Sequence, residues 1–365
     1  MEPSIGIYIH IPYCRVLCPY CDFVKKRSAG DVPDDFVSAL CLEFQHYEGP
    51  KKIASIFFGG GTPSLLSPVG MEHIFKHLGQ CFNLLESEVT IEVNPDDVTS
   101  EQLEVWKSVG VNRLSLGVQS FDDSVLTFLG RNHDAPKAHR ACELIAKEYD
   151  NWSLDLIFGA KPADTWEASV HTALDYGPQH ISAYALTYEE NTPFWQQRYQ
   201  ALDDDIALEQ YRQTHDWLGS YNHYEVSNFA LPGFESSHNK VYWRNEQYVG
   251  FGPGAVSYLN DVRITNQRSI NAYLKSPGLK RIEEKVGLAD SKLETLIQHF
   301  RTQEGIKESY YHGRFGSHLQ DDFGPALSDL VLRGLVQYSE TEQCYQPTLQ
   351  GYELNNEIGL ALIPE

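Results

Sequence analysis

The chain has 365 residues, 42% of them hydrophobic, with 50 acidic side chains against 29 basic ones and a formal charge of −21. That apolar content supports a large core and excludes a disordered chain, while the acidic balance repels phosphate backbones, so no nucleic acid is expected as a partner. No apolar run reaches the roughly 18 residues of a membrane span, and Met1 to Ser4 lead straight into an apolar run without room for a leader peptide, so a cytoplasmic protein is expected.

Short runs of β-branched and apolar residues recur in chain order: "IGIYIHI" (5–11), "IASIFF" (53–58), "EVTIEV" (88–93), "NRLSLGV" (112–118), "WSLDLIF" (152–158) and "HISAYAL" (180–186). Amphipathic patterns lie between most of them. Phe36, Leu40 and Phe44 share one helical face, as do Trp166, Val170 and Leu174. Ser67-Pro68 reads as a helix start, Thr99 with Gln102 and Asp164 with Glu167 as capping boxes, and Gly110 as a helix stop. Ala138, Cys142 and Ile145 fall on one face, which predicts a buried, inert thiol at Cys142.

Strands alternating with helices imply a parallel sheet with right-handed crossovers. The unusual residues gather after successive strands: the cysteines after the first, "GGGTP" (59–63) after the second, Glu92 and Asn94 at the end of the third, Gln119 after the fourth. Asp155 lies within the fifth. Barrels build their sites at the C-terminal ends of strands, so the expected fold is α/β, a partial, open (β/α)6 TIM-type barrel over 1–190. A mixed extension is expected over 191–285. Helices followed by a two-stranded ribbon suggest a small winged-helix-like domain over 286–365, whose acidic residues fit a lid or packing role better than DNA binding.

Of seven cysteines, three crowd into "HIPYCRVLCPYCDF" (10–23), at Cys14, Cys18 and Cys21, spaced C-x3-C-x2-C with Phe23 following. Three readings compete: buried thiols, a zinc site completed by His10, and a [4Fe–4S] cluster. Structural zinc favours paired knuckles, and here the second pair is missing. A [4Fe–4S] cluster on three cysteines leaves one iron open, which makes a chemical site. The glycines of Gly59-Gly60-Gly61-Thr62-Pro63 allow a ligand close to the backbone. Glu92 at a strand end reads as a ligand-binding carboxylate, because a buried lone carboxylate is costly. Arg131 is either an ordinary surface arginine or the bidentate partner of a carboxylate. In "SHNKVYW" (237–243), His238 offers an imidazole to haem iron, and Tyr242 and Trp243 offer apolar faces to a porphyrin. The commoner fate of such a triplet is a satisfied histidine beside packed aromatics.

C-x3-C-x2-C after a first strand resembles the radical SAM superfamily. There, S-adenosylmethionine (SAM) occupies the open iron and an electron delivered to its sulfonium yields a 5′-deoxyadenosyl radical. The motifs "YIHIPYC", "FFGGGTPS", "LSLGVQSFDD", "LGRNH" and "LDLIFG" resemble the oxygen-independent coproporphyrinogen III oxidase group. Matched motif by motif, the resemblance implies SAM contacts at Tyr8, Gly60, Gly61, Thr62, Glu92, Gln119, Arg131 and Asp155.

Two departures turn the expectation from the oxidase toward the haem-chaperone branch of the group. Phe23 stands where the oxidases continue to a further cysteine, and their N-terminal extension has no counterpart before Cys14. His238, Asn239, Tyr242 and Trp243 match that branch's H-N-x-x-Y-W motif, and "ALTYEENTPF" and "YEVSNFA" match it too. The resemblance thus implies a [4Fe–4S] cluster, SAM and haem as bound groups. It implies recipient haem proteins and an electron donor as partners, with no catalytic residue assigned. "FGAKPADT" (158–165) departs from the glycine and proline turn usual after the fifth strand.

Overall fold

A computed structural model describes residues 4–85 and 87–363. Six strands, β1 (Ile5–Ile11), β2 (Ile53–Gly60), β3 (Glu88–Val93), β4 (Arg113–Gln119), β5 (Trp152–Phe158) and β6 (His180–Ala185), lie side by side in chain order, each parallel to the next. A doubly wound sheet reverses its strand order partway. This one does not, which is the winding of a barrel. It remains open, because the sheet runs on at both sides. Beyond β1 it continues through Tyr248–Phe251, parallel to β1, and then three antiparallel strands ending at Arg281–Lys285. Beyond β6 it takes up the hairpin of Asn228–Ala230 and Asn222–Glu225. The segment after residue 190 therefore widens the same sheet.

Each of the six strands alternates. Ile5, Ile7, Ile9 and Ile11 of β1, Leu114, Leu116 and Val118 of β4, and Leu154 and Leu156 of β5 are buried in the main core. The helical layer meets them there, with Phe36, Leu40 and Phe44 of α1 (Asp34–Gln45) and Met71, Ile74 and Leu78 of α2 (Pro68–Cys81). Full burial of such a side chain contributes about 1.5–3 kcal/mol. The intervening residues, among them Glu92, Arg113, Ser115, Asp155 and Ser182, project to the other face and line a cavity. One period of two thus separates a core from a site.

Local signals mark the helices as expected at most boundaries. Ser67 caps α2, its Oγ accepting from the Gly70 N–H at 3.1 Å behind Pro68 at the first helical position. Thr99 accepts from Gln102 N–H at 3.2 Å to start α3 (Ser100–Val109), which ends at Gly110 with φ 104°. Cys142 is fully buried and its thiol is pushed up to about 12, chiefly by burial. The capping box at Asp164 does not form. A 3-10 turn over Ala163–Thr165 precedes the helix Trp166–Asp175 and puts Thr165 at its start, with no side-chain cap.

From Leu288 onward the chain packs around a second core of Leu296, Phe300, Tyr311, Leu327 and Leu330. The ribbon of Val336–Ser339 and Cys344–Pro347 is joined by a third short strand, Ile306–Lys307, so this region carries three strands rather than the expected two.

Candidate cofactor site

β1 delivers the chain to the C-terminal mouth of the barrel, where Tyr13–Cys14 pairs with Lys26–Arg27 and closes the intervening loop. The Lys26 N–H donates to Pro12 O at 2.7 Å and the Ser28 N–H to Cys14 O at 2.8 Å. Within the loop the Cys21 N–H donates to Cys18 O at 3.3 Å, and Lys25 Nζ donates to the carbonyls of Cys18 and Cys21. Cys14, Cys18 and Cys21 are free thiols that line one cavity of about 760 Å³. Burial raises the Cys14 pKa, with Thr62 opposing and the two neighbouring thiols adding to the rise. Phe23 is 57% exposed at the rim.

His10 does not complete a metal site with them. Its Nε2 lies 2.7 Å from Val24 O and its Nδ1 lies 3.0 Å from the Tyr8 hydroxyl. With Nε2–H donating to the carbonyl and Nδ1 accepting from Tyr8, neither nitrogen is left for zinc. Burial holds the ring neutral, its pKa lowered. The zinc reading thereby loses its fourth ligand.

At the end of β2 the glycines are required by space. Gly60 sits at φ 107°, and a Cβ there would stand 2.4 Å from the His10 ring; at Gly61 it would stand 2.7 Å from Ile11 O. The Gly60 N–H donates to Glu92 Oε2 at 3.1 Å. Thr62 Oγ1 accepts from Asn94 Nδ2 at 3.3 Å. The Glu92 carboxyl is pushed up to about 8, first by burial and then by Asp155, with the Gly60 N–H opposing. Asp155 is also raised by burial. Ser182, Ser115 and Ser153 hold it back, Ser115 Oγ donating at 2.8 Å and Ser153 Oγ at 3.0 Å, with Arg113 adding its charge. Gln119 takes φ 69°, a conformation few non-glycine residues adopt, where the β4–β5 register slips between Gly117 and Gln119. That bulge turns the end of β4 at the cavity wall.

Gly60, Gly61, Thr62, Glu92, Gln119, Arg131 and Asp155 all line the cavity with the three cysteines. Tyr8 stands beneath them, its ring stacked on Phe57 at 6.4 Å. Arg131 is placed differently from a free carboxylate fork. Its Nη2 donates to Asn94 Oδ1 at 2.7 Å and Gly117 O at 2.9 Å, and its Nη1 to Cys18 Sγ at 3.6 Å, leaving only Nε without a partner. Burial alone would lower its pKa, but Tyr20 and Cys18 hold it charged and raised. The guanidinium serves the cysteine loop directly.

Arg113 was not singled out by motif or spacing. It is 2% exposed, lines the cavity, and has both Nε and Nη2 without a partner. The one sequence signal for it is a cation opening an otherwise apolar strand.

The H-N-x-x-Y-W residues lie at the other end of the barrel. The short helix Ser237–Trp243 crosses the starts of β1, β2 and β3, with Glu88 accepting from the N–H groups of Ser237 at 3.1 Å and His238 at 3.2 Å. His238 is buried, its Nδ1 2.9 Å from Ser55 Oγ and its Nε2 2.9 Å from the Tyr242 hydroxyl. Burial, then Arg113, lowers its pKa to about 3. As packed, the ring offers no lone pair to haem iron. Trp243 lies under the Arg301 guanidinium at 4.7 Å, and of the four motif residues only Asn239 lines the cavity.

The chain has relatives among known proteins. Residues 8–170 match the family model described as the radical SAM superfamily. The chain is similar to the heme chaperone HemW of Lactococcus lactis, at 35% identity over 98% of this chain and 97% of that protein. It is similar to the heme chaperone HemW of Bacillus subtilis at 34% identity, over 98% and 99%, and to that of Escherichia coli at 33%, over 96% and 95%. In fold it is similar to the coproporphyrinogen III oxidase HemN of Escherichia coli, a radical SAM enzyme, with a TM-score of 0.84 and 22% identity over 99% of this chain and 90% of that one.

Proposed function

We propose, from the premise that this chain belongs to the HemW family of the radical SAM superfamily, that it is a haem chaperone. In this reading it carries a [4Fe–4S] cluster on Cys14, Cys18 and Cys21, binds SAM beside it, and holds haem for delivery to haem proteins. The observation that carries the reading is the convergence of three free thiols on the cavity that Gly60, Glu92 and Gln119 also line. The donor set fits the cluster: soft thiolates suit iron and sulfide, and three of them leave one iron for another ligand.

The chemistry that such a cluster supplies when bound is transfer of one electron to the SAM sulfonium. The chain's own part is to orient, to neutralise and to exclude water. Lys25 and Arg131 set positive charge beside a loop that must carry thiolates. Gly60 and Gly61 leave room for the His10 ring and the backbone at Ile11 and Tyr13, which fixes the turn at the cavity wall. Glu92 is protonated at neutral pH in the free chain and becomes a carboxylate when a ligand cation takes the place of its proton. Arg113 supplies buried N–H donors to a carboxylate in the cavity. Haem is the cargo. For His238 to ligate its iron, the ring must first part from Tyr242 or Ser55. An external electron donor completes the system. Among the described residues no helix is long and apolar enough to cross a membrane.

The test is an anaerobic haem titration of the reconstituted chain, followed in the Soret band. Saturation at a single haem per chain is expected; binding that never saturates overturns the chaperone reading. Conversion of coproporphyrinogen III to protoporphyrinogen, lost in Cys18→Ser, would assign the oxidase activity instead.

A further inference from the structure

Outside the cavity, α1 and α2 bring together three side chains that the site above does not use. Cys41 lies on α1, and His73 and His77 lie one turn apart on α2. One ligand atom from each, a thiol sulfur and two imidazole nitrogens, falls within 4.8 Å of the others. The arrangement has a local cause. A spacing of four residues puts both rings on one face of α2, where their centroids stand 4.6 Å apart, edge to face. α1 presses on that face, so that Cys41 Sγ lies 3.9 Å from His73 O.

The hydrogen bonding suits ligation. His77 Nδ1–H donates to His73 O at 2.9 Å, and Nε2 is left with its lone pair. Metal-bound histidines are held in this way, one ring nitrogen on a carbonyl and the other on the ion. Cys41 is buried, His77 half-buried and His73 exposed, so the cluster opens to solvent on one side. Cys81, one turn beyond His77 on α2, falls outside this 4.8 Å group.

We propose that Cys41, His73 and His77 form a second metal site, for a divalent cation of the zinc class, with its fourth position open to solvent. Sulfur and imidazole donors select such ions over calcium and magnesium. Tetrahedral zinc, with Zn–S about 2.3 Å and Zn–N about 2.0–2.1 Å, spaces its ligand atoms about 3.3–3.6 Å apart. The three therefore close by no more than about 1.5 Å, within the reach of rotamer changes. A metal here would clip α1 to α2, the helices behind the two strands that carry the cysteine loop and the glycine turn. Binding to the folded chain alone would stabilise it.

The test uses cobalt(II) as the probe on the full chain with its cluster reconstituted. A single cobalt per chain is expected, with the visible absorption of a tetrahedral ion and a thiolate charge-transfer band. His73→Ala, at an exposed position that leaves the fold intact, should weaken binding at least ~100-fold, since losing even an outer partner of a ligand costs about 10–100-fold. His73→Ala with His77→Ala should abolish it, with iron content unchanged. Cobalt binding equal in the double His variant and the unaltered chain overturns the proposal. So does absorption that disappears when Cys14, Cys18 and Cys21 are replaced by Ser while His73 and His77 are present. As a second readout, zinc should raise the thermal midpoint of the unaltered chain and leave that of the double variant where it was.

Discussion

The two ends of the barrel are built from the same kinds of buried polar side chain and differ in where those side chains find partners. Inside the cavity, Arg131 Nε near the mouth and Arg113 Nε and Nη2 at the start of β4 meet no protein acceptor, and three thiols face the same space. At the floor, His238 is bonded at both nitrogens and Glu88 at both oxygens, all within the chain. A buried polar group without a partner costs about 1–3 kcal/mol. The cavity carries that cost, while His238 and Glu88 avoid it and help close the floor, where Trp243 Nε1 is a buried donor left without a partner. A histidine motif packed at the floor and an arginine facing the cavity thus exchange the roles their residue types suggest.

The comparison breaks most visibly at the thiols. Replacing Cys14, Cys18 or Cys21 by Ala should abolish bound iron and sulfide and the brown colour after anaerobic reconstitution. Cys344→Ala should keep them, because Cys344 is buried against the C-terminal sheet.

Next in size is Glu92→Gln, which should weaken SAM binding about 10–100-fold, the range of one charge-assisted hydrogen bond; equilibrium dialysis of the reconstituted chain reads it. The pH dependence has a definite sign. With its folded pKa raised to about 8, Glu92 stabilises the free chain fully below its ordinary value near 4.5 and loses that contribution as pH rises through 8. The free Gln variant should therefore hold its stability better than the unaltered chain as pH rises from 4.5 to 8. A flat difference across that window would show that Glu92 is already ionised.

The floor responds through stability. Tyr242→Phe strands His238 Nε2 and should cost about 1–3 kcal/mol in urea unfolding while leaving SAM affinity unchanged. The neutral His238 ring, with its folded pKa lowered to about 3, contributes stability that is whole above about pH 6.5 and is lost as pH falls toward 3. In His238→Ala the acid limb of the unfolding profile should be shallower. An unchanged limb would put the proton uptake elsewhere. The smallest effect is expected at the rim, where Phe23→Ser should change stability by less than about 0.5 kcal/mol and leave the iron content intact.

What could be read in advance follows the range of each interaction. Alternation in "NRLSLGV" and "WSLDLIF" shows which residues face the helices, since strand periodicity is a local property. The caps at Ser67 and Thr99 are equally local, and both form. Asp164 had the right spacing and failed, because the turn that precedes its helix took up the residue. Arg113 gave only a weak signal, because its importance lies in the acceptors it lacks, and those belong to other strands.

Sequence alone determined three thiols on one loop after β1, the glycine turn after β2, the alternation of strand and helix, and through these the family. Each depends on neighbours a few residues apart or on a repeating strand and helix. Only the tertiary structure decided that His10 is spent on Tyr8 and Val24, that His238 seals the floor, and that Cys41 meets His73 and His77. A hydrogen bond or a metal ligand set is a matter of a few ångströms between residues tens to hundreds of positions apart, and such distances exist only once the chain has packed.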